Sequence, residues 1–311
     1  MSLLLSTLLG PLTPRAPGSL TPLAASPGPS EATAPTLDRA ALAGFAADRL
    51  GFAFVGGYGA ALTCLVPSIG ARACLAATER GGAHPRAIMT TLGEADPTGA
   101  RRLDGEKTWI TLGTLATELL VVARLARPGV GEGRLEGRGS LRVVRLPAGR
   151  EGITLSAGVA TPFAPEVPHA EARFEGVRIA PDEVLEGDGY DDYLKPFRTI
   201  EDLHVLGAAL GYLVRVAREY AWPRPFIEQA LAALLTLRGL CALDPRAPQT
   251  HVVLGGALSL VRALVDDATP HWALAPADER ERFARDRMLL DVAGRVRAAR
   301  LEAAWGRLSG A

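Results

Sequence analysis

Gly105-Glu106-Lys107-Thr108-Trp109-Ile110-Thr111 decides the reading of this chain, together with Thr78-Glu79-Arg80-Gly81-Gly82 upstream of it. Thr108, Ile110 and Thr111 are β-branched and Trp109 is aromatic, the composition of a strand on a half-buried surface. Gly81 and Gly82 lack a Cβ, so the backbone there can approach a ligand closely. Taken alone, Trp109 anchors a β-core as readily as it faces a ligand, and a Thr-Glu-x-Gly-Gly turn carries little information. The flanking sequence has to decide.

Outward from these motifs, Cys74 to Ile179 consists of short apolar or alternating runs punctuated by Gly and Pro, the texture of a small β-structure. Candidate strands are Thr108 to Thr111, Glu118 to Arg124, Ser140 to Leu146, Ile153 to Ser156 and Ala170 to Val177, with Pro128 to Gly133 as a mobile hairpin loop. Upstream, Thr36 is placed to cap a helix through Leu50, and a second helix follows from Phe52 to Leu65. Downstream of Pro181 the pattern predicts helices over Pro196 to Ala221, Pro225 to Leu243, Ala247 to Ala268 and Ala277 to Leu308. Gly10 to Pro35 is rich in Pro, Ser, Ala, Gly and Thr, so 1–35 reads as a flexible leader. The expected organisation is therefore a leader, an N-terminal helical region at 36–77, a middle β-domain at 78–181 and a C-terminal helical bundle at 182–311.

Composition bounds the function. The 311 residues are 48% hydrophobic, enough for a sizeable core without disulfides or metals. Lys plus Arg number 34 and Asp plus Glu also 34, so no net field draws in nucleic acid. Cys64, Cys74 and Cys241 are scattered singly, without a spacing for zinc, iron–sulfur or redox work, and read as reduced core residues of a cytoplasmic protein. The apolar start Ser2 to Leu9 has no basic segment before it, and no stretch approaches the roughly 18 to 20 apolar residues of a membrane helix.

In their order and spacing the two motifs resemble the acyl-CoA dehydrogenase family. Its flavin-wrapping loop reads Thr-Glu-Pro-Gly-Ala-Gly-Ser-Asp, where this chain has Thr78-Glu79-Arg80-Gly81-Gly82-Ala83-His84-Pro85, and its strand reads Gly-x-Lys-x-Trp-Ile-Thr. Phe174-Glu175-Gly176-Val177-Arg178-Ile179-Ala180-Pro181, with Leu185 and Gly187 after it, is similar to the family's exit from the β-domain. Leu254-Gly255-Gly256 and Arg285-Asp286 are similar to its Gly-Gly turn and its Arg-Asp-Ala segment. The resemblance implies a mainly α fold with a small β-barrel-like middle domain between N-terminal helices and a C-terminal bundle.

It also implies FAD as cofactor, held by Thr78, Gly81, Gly82, Trp109, Thr111, Gly255 and Gly256. The implied reaction is α,β-dehydrogenation of an acyl-CoA or acyl-carrier thioester, with an electron-acceptor flavoprotein as partner and a homodimer or homotetramer as assembly. The glutamate most members carry after Arg-Asp-Ala is absent, since Arg285-Asp286 leads into Asp291-Val292-Ala293-Gly294. Counting back from Ala209-Leu210-Gly211 to the minority position puts the base at Glu201, with the small residues Ala208 and Gly211 along its helix face expected to leave room for an acyl chain. As a residue type, Glu201 also reads as a solvent carboxylate near a helix start. The chain departs from the family elsewhere. Arg-x-x-Phe-Gly, which reaches the cofactor pyrophosphate, is missing, leaving Arg224 between prolines, and Val252 replaces the glutamine before the Gly-Gly turn. Two other readings stay open: a noncatalytic relative serving as a binding or assembly module, and a flavin monooxygenase-type relative on the same fold.

Overall fold

The computed structural model describes residues 3–15, 18, 34–82, 84–126, 140–158 and 160–310. The elements are, in chain order, α1 (Leu3–Leu9), α2 (Thr36–Ala46), α3 (Leu50–Leu65), β1 (Ala73–Ala76), β2 (Thr91–Leu92), β3 (Arg101–Thr111), β4 (Glu118–Leu125), β5 (Leu141–Pro147), β6 (Ile153–Ala157), β7 (His169–Ile179), α4 (Lys195–Glu219), α5 (Arg224–Leu240), α6 (Pro248–Asp267), α7 (Ala277–Asp286) and α8 (Gly294–Leu308). They fall into a helical unit, Met1–Pro67 with Pro162–Glu166 and Phe197–Ala311, and a sheet unit, Ser68–Thr161 with Val167–Pro196. The hairpin loop expected at Pro128 to Gly133 lies outside the described residues.

In the sheet unit, β4 is the inner strand. Its side chains Leu119 to Ala123 are all fully buried, so it reads as a continuous apolar run instead of an alternation. Antiparallel β5 pairs with it, and β1 and β2 both pair with it in parallel. Beyond β2 come β3, β7 and β6, completing seven strands. The five strands expected from periodicity are present, while β1, β2 and the first half of β3 carry too short or too polar a pattern to be read in advance. Gly105 is required in β3: its φ is +143°, and a Cβ there would stand 2.6 Å from Thr90 Cα.

The helical unit is organised around α4, in which Ala208, Ala209, Leu210, Tyr212, Leu213 and Val214 are buried to within 1%. α2 lies backbone to backbone against it. A Cβ on Gly44 would fall 1.9 Å from Ala208 O, and one on Gly211 2.0 Å from Ala41 O. The small residues expected to leave space for an acyl chain along this face are therefore spent on helix contact, which corrects that expectation. His204, on the same face, is fully buried; Ile200 O and Thr36 Oγ1 lie 2.7 and 2.8 Å from its two ring nitrogens. Thr36 thus serves His204, and α2 starts without a side-chain cap.

Two further expectations are revised. Part of the segment read as a leader is helical: α1 buries Leu4 and Leu8 in the core, and Arg218 donates to the carbonyls of Leu8 and Gly10. The single helix expected from Ala277 to Leu308 is broken, with a 3₁₀ turn at Arg287–Leu290 and α8 restarting at Gly294, where glycine lowers helix propensity. Cys64, Cys74 and Cys241 are all free thiols.

Replacing Gly211 by Ala forces a methyl group into Ala41 and is expected to destabilise the protein by about 1–3 kcal/mol. Gly59→Ala, in α3 with open space before it, is expected to stabilise by about 0.5–1 kcal/mol. Urea unfolding of the two variants reads the opposite signs.

Candidate functional site

Strand alternation places Lys107 on the buried side of β3 with Leu103, and its side chain is fully inaccessible. A lone ammonium there would be prohibitive, and Glu79 resolves the problem with Oε1 at 2.7 Å from Lys107 Nζ. The same carboxylate accepts from the amides of Met89 at 2.7 Å and Thr90 at 3.0 Å. Arg124, itself buried, donates to Pro85 O at 2.7 Å and Ile88 O at 3.2 Å. A backbone bond from Thr108 N to Thr78 O, 2.8 Å long, completes the junction. The Thr78 loop and the Gly105 strand, separate in sequence, are thereby one rigid construction.

Burial pushes the Lys107 ammonium down to about 8 against the pull of Glu79. The Glu79 carboxyl moves down as well: burial opposes its ionisation, but the Lys107 charge and the three hydrogen bonds outweigh it.

The construction presents Trp109 outward. The β3–β7 register slips between Lys107 and Ile110, and Trp109 occupies the slip at φ +55°, a left-handed conformation costly for a bulky side chain. Its indole is 49% exposed and meets His169 edge-on at 5.9 Å. Thr78, Glu79, Arg80, Gly82, Thr108 and Trp109 line a cleft of about 300 Å³, with Glu171 at its side. Thr108 Oγ1 is buried there without a hydrogen-bond partner among the described residues. Gly82, at φ +100°, has open space in front of it, whereas Gly81 backs onto Ala87. Thr111 ends β3 opposite His169 and is outside the cleft lining.

Glu201, Gly255 and Gly256 belong to the helical unit. Gly255 and Gly256 sit inside α6, within the helix expected over Ala247 to Ala268 and not in the turn the resemblance implies, and a Cβ on Gly255 would stand 2.9 Å from Leu301 of α8. Gly256 faces open space. Arg224 is exposed at the first turn of α5. Glu201, half-buried on α4, forms no hydrogen bond or ion pair among the described residues; burial and the neighbouring Asp202 charge raise its carboxyl to about 7, against Arg297 and Arg198. Sequence reasoning missed the pairing of Glu79 with Lys107 and the grip on Asp202. The available signal for the first was a lysine in phase with the buried positions of a strand.

No protein-family model matches the chain, and no curated protein matches it by sequence. Solved structures do match. Butyryl-CoA dehydrogenase from Megasphaera elsdenii superposes with a TM-score of 0.66 at 14% identity, over 85% of this chain and 81% of that one. FMN-bound TdsC from Paenibacillus sp. A11-2 gives 0.66 at 18% identity over 87% and 82%. The prolyl acyl carrier protein oxidase AnaB gives 0.64 at 16% over 91% and 88%. Likeness at these identities concerns architecture: the chain has the acyl-CoA dehydrogenase fold.

Glu79→Gln leaves Lys107 buried without a counter-charge and is expected to destabilise by about 3–5 kcal/mol, whereas Glu79→Gln with Lys107→Met should cost less than the sum of the single changes. Since the folded carboxyl lies below its unfolded value of 4.5, its contribution is complete above that pH and disappears as the pH falls through the folded value. Melting temperatures between pH 7 and pH 3 should drop more steeply for the parent protein than for the double variant.

Proposed function

We propose that this chain is a flavoprotein that removes the α-proton of an acyl thioester with Glu201, with FAD as the cofactor that would accept the β-hydride. The observation that carries the reading is the contrast on α4: Glu201 has no hydrogen-bond or ion-pair partner among the described residues and a carboxyl near 7, beside an Asp202 engaged in ion pairs with Arg297 and Arg300. A carboxylate so placed has a proton affinity suited to general-base work, and it titrates within the physiological range.

The residues present fit the flavin ring. Trp109 offers an exposed aromatic face, Thr108 Oγ1 a hydroxyl without a partner among the described residues, and Gly82 an unobstructed stretch of backbone. Thr78, Gly81, Gly82, Trp109 and Thr111 would hold the ring, and Gly256, the unobstructed member of its pair, would contribute to the remainder. When bound, the flavin supplies a two-electron hydride acceptor. The chain's own part is to hold that ring on a strand braced by Glu79 and Lys107, and to take the proton at a Glu201 carboxylate oxygen. An acyl-CoA or acyl-carrier thioester as substrate, an electron-acceptor flavoprotein and a homo-oligomeric assembly belong to the same reading. Among the described residues no helix is long and apolar enough to cross a membrane.

The purified protein is expected to be yellow, to release FAD on denaturation and to bleach when an acyl-CoA is added. Glu201→Gln should slow bleaching about 10²–10⁴-fold with the flavin content unchanged. As the base acts in its ionised form, the bleaching rate should rise with pH through about 7 and level off above it. A colourless protein that takes up no added flavin would overturn the enzymatic reading in favour of a noncatalytic module. Trp109→Ala is expected to weaken flavin retention, measured by ultrafiltration, and to leave the melting temperature of the flavin-free protein nearly unchanged.

A further inference from the structure

Glu201 and Asp202 are neighbours on α4 with opposite surroundings. Asp202, 5% exposed, is gripped from α8 by two guanidinium groups. Arg297 reaches Asp202 Oδ1 through Nε and Nη2, each at 2.8 Å, and Arg300 Nη2 donates to Oδ2. Both arginines are fixed elsewhere too, Arg297 to Leu290 O at 2.5 Å and Arg300 to Thr199 Oγ1 at 3.3 Å. With one guanidinium on each carboxylate oxygen, these charge-assisted contacts fix the direction of Asp202 as well as balancing its charge. Two guanidinium groups thus hold one carboxylate, which belongs to the residue adjacent to Glu201. The region following Arg285-Asp286, where the resemblance would put a glutamate base, here supplies cations to the vicinity of the other candidate.

We propose that Asp202, Arg297 and Arg300 are positioning residues for Glu201: the clamp from α8 fixes the early turns of α4, and its balance of charge governs when the Glu201 carboxyl ionises. The catalytic consequence rests on the reading of Glu201 as the base, whereas the ionisation itself does not. The charges acting on Glu201 are Asp202 and Arg198 on α4 and Arg297 from α8, with Arg300 acting through Asp202. Asp202 disfavours the Glu201 anion, and Arg297 and Arg198 favour it. His204, one turn on, is buried with its imidazole pushed down to about 4 and is neutral when Glu201 titrates.

The two halves of the clamp therefore act in opposite directions, which a merely structural role would not produce. The test is a pH titration of the purified protein, with whatever flavin it retains, carrying ¹³C-carboxyl-labelled glutamate, with the Glu201 resonance identified by its loss in Glu201→Gln. Arg297→Met is expected to raise the Glu201 midpoint and Asp202→Asn to lower it, each by about one pH unit, a tenfold change in the ionised fraction. Arg297→Lys, which retains the charge, should restore the parent midpoint. Asp202→Asn keeps the side-chain shape, so together with Arg297→Lys it decides the matter even where Arg297→Met does not fold. Midpoints that stay fixed, or that move the same way in Arg297→Met and Asp202→Asn, would overturn the proposal. The pH–rate profile of acyl-CoA bleaching separates the two ideas: a profile that ignores a shifting carboxyl titration removes Glu201 as the base while the charge clamp stands.

Discussion

The 2.7 Å ion pair between Lys107 and Glu79 is the constraint on which the sheet unit's candidate site depends. An ammonium in a core position stands only if a counter-charge is brought to it, and the Thr78 loop is the segment that brings one. Once Glu79 is drawn in, its remaining oxygen lone pairs collect the amides of Met89 and Thr90, and the loop between them is fixed. Arg124 holds the outer side of the same loop through two carbonyls. The cleft beside Trp109 exists because this loop cannot relax away. The left-handed backbone of Trp109 is strain of the kind that a surrounding structure must over-determine, and the ion pair two residues earlier on the strand does so.

In the helical unit the governing constraint is close backbone approach. Gly44 and Gly211 allow α2 and α4 to touch main chain to main chain, which occupies the α4 face at Ala208 and Gly211 with α2. A rigid α4 gives Glu201 a defined position. The adjoining Asp202 adds a second anchor through its ion pairs with Arg297 and Arg300.

The absence of any family or sequence match alongside structural likeness over most of the chain has a physical basis. A fold is fixed by patterns of burial and by a few backbone requirements, such as Gly105 at φ +143°, and many sequences satisfy them. Identities of 14–18% are compatible with that, and function has to be argued from the sites themselves.

By itself, the sequence indicated most of the helices and five of the seven strands, because hydrophobic period and Gly/Pro punctuation are local properties, but it missed α1 and placed β1 (Ala73–Ala76) inside a helical region. Through a family resemblance carried by the order and spacing of its motifs, it also grouped Thr78, Gly81, Gly82, Trp109 and Thr111, of which Thr78, Gly82 and Trp109 line one cleft. Tertiary structure alone decided what the partners are. That Lys107 is neutralised by Glu79, that Ala208 and Gly211 serve α2 and not a ligand, that Gly255 packs on Leu301, and that α8 breaks from α7 and sends two arginines to Asp202 all depend on contacts between residues far apart in sequence. Short strands such as β1 and β2 were invisible for the same reason: they owe their extended form to pairing with β4, and not to any preference of their own four or two residues.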